Sequence, residues 1–600
     1  MRYYWPIALI YLLMMHIILP NYGGSGLELP FNSLTWLLLL IFVWLGLERI
    51  ATSQSVDISQ STLALACAAL TSITVINPLT SNIWPGAVAA LWLGVIVMLL
   101  VDPKDEGVVI PLILWLLAFS TLIEACLGML NNIGIVPSFG SYSVNAGRII
   151  GVVLATEETT LKSLRPVGVF QQPNVLASFL TTGLAACGII LATKSPSSAP
   201  PHQIPRLTLS AALLLRFLLH SVLSLTIMSC TAVLVITASR TGWIGLIFVL
   251  AMIAISLRNH HRRLLRWLVP AVIGLLIGGL MLISSPTNQE RAEHKSNLES
   301  ARTELYPQVM RMIVDKPLLG YGGGNFEKAY VTHAAGQHAT DPTLPPAMSG
   351  FDHPHNELLF WWAEGGIAPV IGILGFMLWL LWCISHMSNK NRWLALALIA
   401  PLLLHNLLEY PFRHSAPHWL SFLLIVYIID RWAGTPTFSL PIRRTIWVVR
   451  IFGLALLLIG STVLINSLIG NWALWKATSD PKNHLSYLTY AAAPGPLNER
   501  YQSIVNEVLF KQGLKNNDRA ALQHVNAWAF AEVAARPRAD LYNALIKTSV
   551  KLGNIDRANR AIAEMNYYFP QIDHSGLELQ TDTEMNSDIS NTDKAHVMTD

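Results

Sequence analysis

The feature that most limits this chain is a succession of long apolar runs separated by short polar breaks. A helix needs about 20 mostly apolar residues to cross a hydrocarbon layer of ~30 Å. Runs of roughly that kind fall near 5–20, 34–48, 61–77, 86–101, 108–129, 173–193, 217–238, 241–257, 267–283, 357–384, 392–409, 417–429 and 446–469. Charged residues make up only 13% of the 600 residues and hydrophobic ones 53%. Soluble domains carry about 25% charged residues, so a soluble enzyme is excluded, as is a disordered or fibrous chain. The chain reads as an all-α polytopic membrane protein with about 12–14 transmembrane helices.

The basic residues orient the spans. With the N-terminus on the cytoplasmic side, one set of loops collects Arg49, Lys104, Lys194, Arg206, Arg258, Arg262, Arg263, Arg266, Lys390, Arg392, Arg431, Arg443 and Arg444. The opposite short loops at 21–33 and 78–85 contain no Lys or Arg. This asymmetry is the positive-inside pattern. Only Arg240 and Arg413 break it in short outer loops, which makes both candidates for a site. The first run lacks a small-residue cleavage site and reads as a retained span rather than a signal peptide. No basic stripe interleaved with aromatics appears, so nucleic acid is not an expected partner. Cys67, Cys126, Cys187, Cys230 and Cys383 all lie in apolar runs without paired spacing, which argues against a disulfide framework or a zinc site.

Three regions follow. Residues 1–470 form a transmembrane part with outer loops at 130–172 and 284–356, the second long enough to be functional. Residues 471–572 turn amphipathic, with apolar residues at helical spacing in 501–511 and 520–535. The stretch 541–569 reads as helix, turn at Gly553-Asn554, helix, with Ala558 and Ala561 small enough to face a crossing. That resembles one tetratricopeptide-type hairpin. Residues 573–600, rich in Asp, Thr, Ser and Asn, read as a disordered tail.

Four polar clusters fall on the outer side, where ionisable groups near a bilayer are functional candidates. In Asp352-His353-Pro354-His355-Asn356-Glu357, Pro354 keeps its predecessor out of a helix, so a helix starts just after it with His355 and Asn356 at its head. His355 there can serve as a general base; a helix cap is the bland reading. Asp352, His353 and His355 are potential metal donors, but three adjacent ligands with no distant partner make metal the weaker option. Ser239-Arg240-Thr241-Gly242 offers a guanidinium fork to an anion, or to a lipid headgroup. In the loop containing Arg302, Tyr306 and Arg311, the residues Leu305, Val309, Met312 and Ile313 predict a short helix on the membrane surface. The following Gly320-Tyr321-Gly322-Gly323-Gly324 lacks the Lys and Ser/Thr of a phosphate loop and reads as a tight turn. The last cluster pairs Gln171-Gln172-Pro173-Asn174 with Leu408-Glu409-Tyr410-Pro411-Phe412-Arg413, where amides and a tyrosine suit a hydroxyl-rich ligand. Taken together, arginines, a histidine, amides and an aromatic on one face fit an anionic lipid-linked donor with a glycan headgroup.

At this point the chain resembles a known family. Gln-Pro-Asn at 172–174, Ser-Arg-Thr-Gly at 239–242, Arg302 with Glu304 and Tyr306, Pro-Leu-Leu-Gly-Tyr-Gly at 317–322, His-Pro-His-Asn-Glu at 353–357 and Leu-Glu-Tyr-Pro-Phe at 408–412 are similar, in order and spacing, to the bacterial O-antigen ligase/polymerase superfamily. Within it the nearest likeness is to the protein O-oligosaccharyltransferases that modify pilins. The resemblance implies a GT-C-type glycosyltransferase of the bacterial inner membrane, its active site facing the periplasm and needing no cofactor; a single displacement would make it inverting, and arginines doing the work of a divalent ion would make it metal-independent. Its donor would be an undecaprenyl-pyrophosphate-linked oligosaccharide and its acceptor a hydroxyl on a periplasmic protein. By motif, His355 matches the catalytic histidine. Arg240 and Arg302, with Arg311 as the alternative to Arg302, match the pyrophosphate contacts. Gln172 and Tyr410 match residues of the protein-glycosylating branch, and Asn174, Asn356 and His353 join them as glycan or acceptor contacts. The 471–572 helices would select the acceptor.

Rival expectations are the same chemistry on lipid A-core (an O-antigen ligase) or on another glycan (a polymerase). Of a different class are a lipid or solute transporter, against which no inverted repeat is visible, and a scaffold for the C-terminal helices. The scaffold leaves the outer His and Arg residues unexplained.

Overall fold

A computed structural model describes residues 15–21, 23–53, 55–76, 86–101, 106–135, 165–193, 209–286, 288–289, 302–441, 446–480, 483–491 and 495–572. The first expected span near 5–20 lies mostly outside them, as do most of the 130–172 loop and the 573–600 tail. In chain order the helices are α1 (Pro30–Ser53), α2 (Gln60–Thr71), α3 (Gly86–Leu100), α4 (Glu106–Asn132), α5 (Pro173–Ala192), α6 (Leu209–Thr237), α7 (Arg240–Leu257) and α8 (His261–Ser284). Then come α9 (Arg302–Asp315), α10 (Phe326–Thr340), α11 (Glu357–Gly365), α12 (Ile367–His386), α13 (Asn389–Asn406), the single turn α14 (Pro411–His414), α15 (Ala416–Ala433) and α16 (Ile446–Ser479). The chain closes with α17 (His484–Ala491), α18 (Asn498–Asn516), α19 (Arg519–Ala535), α20 (Ala539–Lys551) and α21 (Ile555–Tyr568). The protein is an all-α polytopic membrane protein: 8 described helices are long and apolar enough to cross a bilayer, and α2 and α3 are shorter apolar ones.

Two details depart from the expected spans. The run at 357–384 is broken, because Gly366 takes φ 72° with ψ −158°, a conformation closed to residues with a Cβ, and separates the nine-residue α11 from α12. A short antiparallel pair, β1 (Ser55–Ser59) with β2 (Thr437–Pro441), also appears, with Val56 opposite Leu440. Five-residue strands wedged between helices carry too little alternation to be read from sequence.

Contacts divide the chain into two units, residues 1–324 with 353–502, and residues 325–352 with 503–600. This differs from a boundary at 470. The helix α16 runs unbroken through that point over 34 residues, about 51 Å at 1.5 Å per residue, far longer than a bilayer core. Part of the long 284–356 loop also groups with the C-terminal helices.

In the first unit α5 is the central helix, with 89% of its apolar window buried, against 22% for α8 and 11% for α16, which lie at the periphery. The helices α4, α6, α7 and α13 pack around α5. Small residues permit this: a Cβ on Gly183 would lie 1.9 Å from Thr121 Oγ1 of α4, so only glycine lets those backbones approach. At the far end of α5, Ala192 O accepts from Arg263 at 2.6 Å and from Lys390 at 2.9 Å. Cations thus neutralise the negative end of the central helix. The apolar stripe of α9 (Leu305, Val309, Met312, Ile313) is buried, and α9 packs on α11. This corrects the surface-helix expectation: protein, not lipid, covers that stripe.

In the second unit α19, α20 and α21 pack in succession. Asp518 caps α19 through the amides of Ala520 and Ala521, and Asn554 caps α21 through that of Arg557. Ala558 and Ala561 are buried on the inner face of the α20–α21 hairpin. Arg538 forks onto Glu327 of α10 at 2.5 and 2.7 Å, and Ser349 Oγ accepts from the amide of Ala539 at 2.9 Å. The loop helix α10 is therefore built into the same unit as α19, α20 and α21.

Candidate active site

The site begins with the loop before α11. Asn356 adopts an extended backbone and its Oδ1 accepts from the amide of Leu359 at 3.1 Å, capping the helix. Its Nδ2 donates to Leu407 O at 3.0 Å. Asn356 thus fastens the loop to the end of α13, a structural duty sufficient to account for it.

One residue earlier, His355 sits at φ 51°. Its Nδ1 lies 2.8 Å from Glu409 Oε2, and its carbonyl accepts from Tyr306 OH at 3.0 Å. Glu409 turns its other oxygen to Arg302, 3.2 Å away, and Arg302 also donates to Leu408 O at 2.8 Å. The Glu409 side chain is 8% exposed, whereas that of His355 is 36% exposed. Burial pushes the Glu409 carboxyl up, but the hydrogen bond from His355 and the electrostatic influence of its neighbours, Arg302 among them, outweigh it and hold the group below its usual value. An ionised carboxylate on Nδ1 orients the imidazole and favours the tautomer with its proton there, leaving Nε2 as the acceptor. Glu409 was not among the residues singled out for the site from the sequence. Its signal was there, as an acidic residue ending an apolar run next to Tyr410.

The ring of His353 lies 4.3 Å from that of His355 and 3.9 Å from that of Tyr410, centroid to centroid. One donor atom each from His353, His355 and Glu409 lies within 4.8 Å of the others. The group able to hold a metal therefore completes itself with Glu409 instead of Asp352.

The Gln-Pro-Asn segment reaches the same end of the bundle. Glu124 Oε2 of α4 accepts from the amide of Val169 at 3.0 Å, and Asn131 Oδ1 from that of Gly168 at 2.9 Å. Phe170 O in turn lies 3.1 Å from Nε2 of His414, on α14. Gln172 stands at the head of α5 with its side chain outside the cap. Asn174 Oδ1 accepts from Ser239 Oγ at 2.8 Å, and Ser239 caps α7 by accepting from Gly242 N at 3.1 Å. Asn174 thus anchors the turn that presents Arg240, an exposed residue at the head of α7. Anions are favoured at such a helix start.

Arg311 is nine residues beyond Arg302 on α9. At 100° and 1.5 Å per residue that is the opposite face and about 13 Å further along. Arg302 is the one joined to Glu409. Arg413 is engaged too, bridging Glu357 at 3.1 Å and Glu364 at 3.3 Å while stacking 3.7 Å over Phe360. Glu364 also accepts from Gly324 N at 2.7 Å, and Tyr321 N donates to Ala363 O at 2.8 Å. The glycine segment is a turn packed on α11, as its missing Lys implies.

Backbone strain marks the same places. Four described non-glycine residues have positive φ, and three of them lie in or beside these motifs: Gln171 at 59°, Ala238 at 49° and His355 at 51°. Such conformations persist where surrounding structure enforces them, and they cluster at functional sites.

Comparisons with known proteins match the segments that carry these residues. A family model described as "Protein glycosylation ligase" matches residues 166–188, which hold Gln172 and Asn174. One described as "O-Antigen ligase" matches residues 223–374, which hold Arg240, Arg302, His353 and His355. A third, "Virulence factor membrane-bound polymerase, C-terminal", matches residues 393–581, including Glu409 and Tyr410. Among curated proteins, the general O-oligosaccharyltransferase of Acinetobacter baylyi is 26% identical over 327 residues, half of each chain. The ComP-specific O-oligosaccharyltransferase of the same organism is 26% identical over 190 residues, 30% of this chain and 33% of that one. The chain thus spans half or less of the length of the curated relatives it matches. With its ligase-type segments in order along the chain, this membrane protein is a homologue of the Acinetobacter O-oligosaccharyltransferases.

Proposed function

We propose that the protein transfers a preassembled glycan en bloc from undecaprenyl pyrophosphate to a hydroxyl side chain of a periplasmic acceptor protein such as a pilin. The observation that carries this reading is the half-exposed His355, oriented by a buried carboxylate that Arg302 shares. The names of the two relatives, both O-oligosaccharyltransferases, support it. The active end of the bundle faces the periplasm of the inner membrane, in keeping with the basic residues gathered at the opposite end of α5.

In the proposed step, Nε2 of His355 takes the proton of the acceptor hydroxyl as its oxygen attacks the anomeric carbon. The new carbon–oxygen bond forms while the bond to the pyrophosphate oxygen breaks. Undecaprenyl pyrophosphate leaves with the electron pair, and the proton stays on His355 until solvent or the leaving phosphate removes it. One displacement inverts the anomeric centre. Arg240 and Arg302 stabilise the growing negative charge through fixed guanidinium groups, so no metal is required. Gln172, Tyr410 and His353 contact glycan or acceptor, and the 471–572 helices select the protein.

Co-expression with an undecaprenyl-linked glycan and a candidate pilin, followed by intact-mass measurement of the pilin, tests the proposal. A glycan-sized increase with the wild type, absent with His355→Ala at matched expression, is the expected result. A second reading, an O-antigen ligase, draws on the "O-Antigen ligase" match over 223–374. Glycan on lipid A-core and none on any periplasmic protein would establish it instead.

A further inference from the structure

We propose that His353, His355 and Glu409 form a binding site for a borderline divalent transition ion such as zinc, and that occupancy of this site shuts off transfer. Around a zinc ion at ~2.1 Å, tetrahedral donors stand about 3.4 Å apart. Here the three donors already lie within 4.8 Å of one another, so small side-chain rotations complete the set. The loop is shaped for this. Pro354 separates the histidines, and the left-handed turn at His355 accompanies rings only 4.3 Å apart. Glu409 lies in the turn after α13, its amide donating to His405 O at 2.8 Å.

The donor chemistry selects the ion. Two imidazoles and one carboxylate suit zinc, copper or nickel, whereas magnesium and calcium prefer all-oxygen shells. Three protein ligands leave a fourth position open to water or an anion. Arg302, 3.2 Å from Glu409, opposes a dication there. Binding is therefore reversible and weaker than in a structural zinc site.

Inhibition follows from valence. A coordinating imidazole nitrogen donates its lone pair to the ion, and an ion at either nitrogen of His355 removes its free lone pair or its link to Glu409. Chelation and proton acceptance then exclude each other. This half of the inference rests on the base role proposed for His355; the binding half does not.

The test uses the full chain purified in detergent and titrated with cobalt(II) alone, followed by the visible absorption of the coordinated ion. One saturable equivalent is expected, with affinity reduced about tenfold or more in His353→Gln and in Glu409→Gln. His386→Ala, in the exposed last turn of α12, should titrate as the wild type. Matched elution profiles and thermal transitions verify folding of each variant. Zinc added to the transfer assay should abolish turnover, and excess EDTA should restore it. Absence of a saturable equivalent, or titrations indifferent to His353→Gln and Glu409→Gln, overturns the site. Normal binding with zinc-insensitive transfer overturns the switch and, separately, the base role of His355. Loss of transfer on chelation, restored by zinc, overturns the switch by making the ion an activator.

Discussion

Two histidine clusters lie in the first unit, and they are opposites. At the end of the bundle, His355 is partly open, sits on a strained backbone and bonds an ionised carboxylate. Deeper among α5, α13 and α15, His405 Nδ1 meets Ser178 Oγ at 2.7 Å, Ser178 meets His418 Nε2 at 3.1 Å, and His418 Nδ1 meets Ser415 Oγ at 2.8 Å. Both of those histidines are fully buried. A buried chain of hydrogen-bonded side chains joins three helices and gives no substrate an approach, whereas an open imidazole on a carboxylate is placed to accept a proton. Residue type is the same in both. Exposure and the partner decide the chemistry.

The contrast can be broken most sharply by His355→Ala, which should lower transfer by about 10²–10⁴-fold with unchanged expression and thermal transition. Wild-type rates in that variant would remove the distinction. Next, Arg302→Ala should cost about 10²–10³-fold in single-turnover rate, the scale of one electrostatic contact to the developing charge. His405→Ala should behave in reverse. Loss of a buried hydrogen-bonding partner costs about 1–3 kcal/mol, read as a lower unfolding temperature, while transfer per folded molecule stays near wild type. A folded but inactive His405→Ala would join the two clusters into one functional chain. Arg311→Ala, on the far face of α9, should change transfer by no more than about twofold. Smallest of all is chelation: EDTA alone should leave the rate of metal-free enzyme unaltered, and a fall in the assay would put a metal into the reaction.

Much of the fold was legible because apolar length is a local property. Of the expected spans that fall among the described residues, each coincides with a helix, with the run at 357–384 split by Gly366. The start of α11 was legible too, since Pro354 and Asn356 act on their immediate neighbours. The division of the chain was less so. Nothing local reveals that Glu327 in one outer loop receives the guanidinium of Arg538, 211 residues later. The covering of the α9 stripe by α11 is equally nonlocal, because an amphipathic pattern shows that one face must be covered without naming the cover.

The site divides in the same way. His355, Arg240, Arg302, Gln172 and Tyr410 could be named from motif order, and the structure gathers the motifs at one end of the helix bundle through Asn174–Ser239, Phe170–His414 and Arg302–Glu409. The role of Glu409 could not be read in advance, because it depends on a histidine 54 residues earlier and an arginine 107 residues earlier. Nor could sequence separate Arg302 from Arg311, which one helix carries on opposite faces, or His355 from His405. By itself the sequence determined that the chain is a membrane-spanning helical protein and which residue types crowd its polar ends, since both follow from the transfer energies of side chains taken one at a time. Only the tertiary structure decided which of those side chains share a proton, a charge or a metal-sized space, since such interactions weaken over a few ångströms and take no account of distance along the chain.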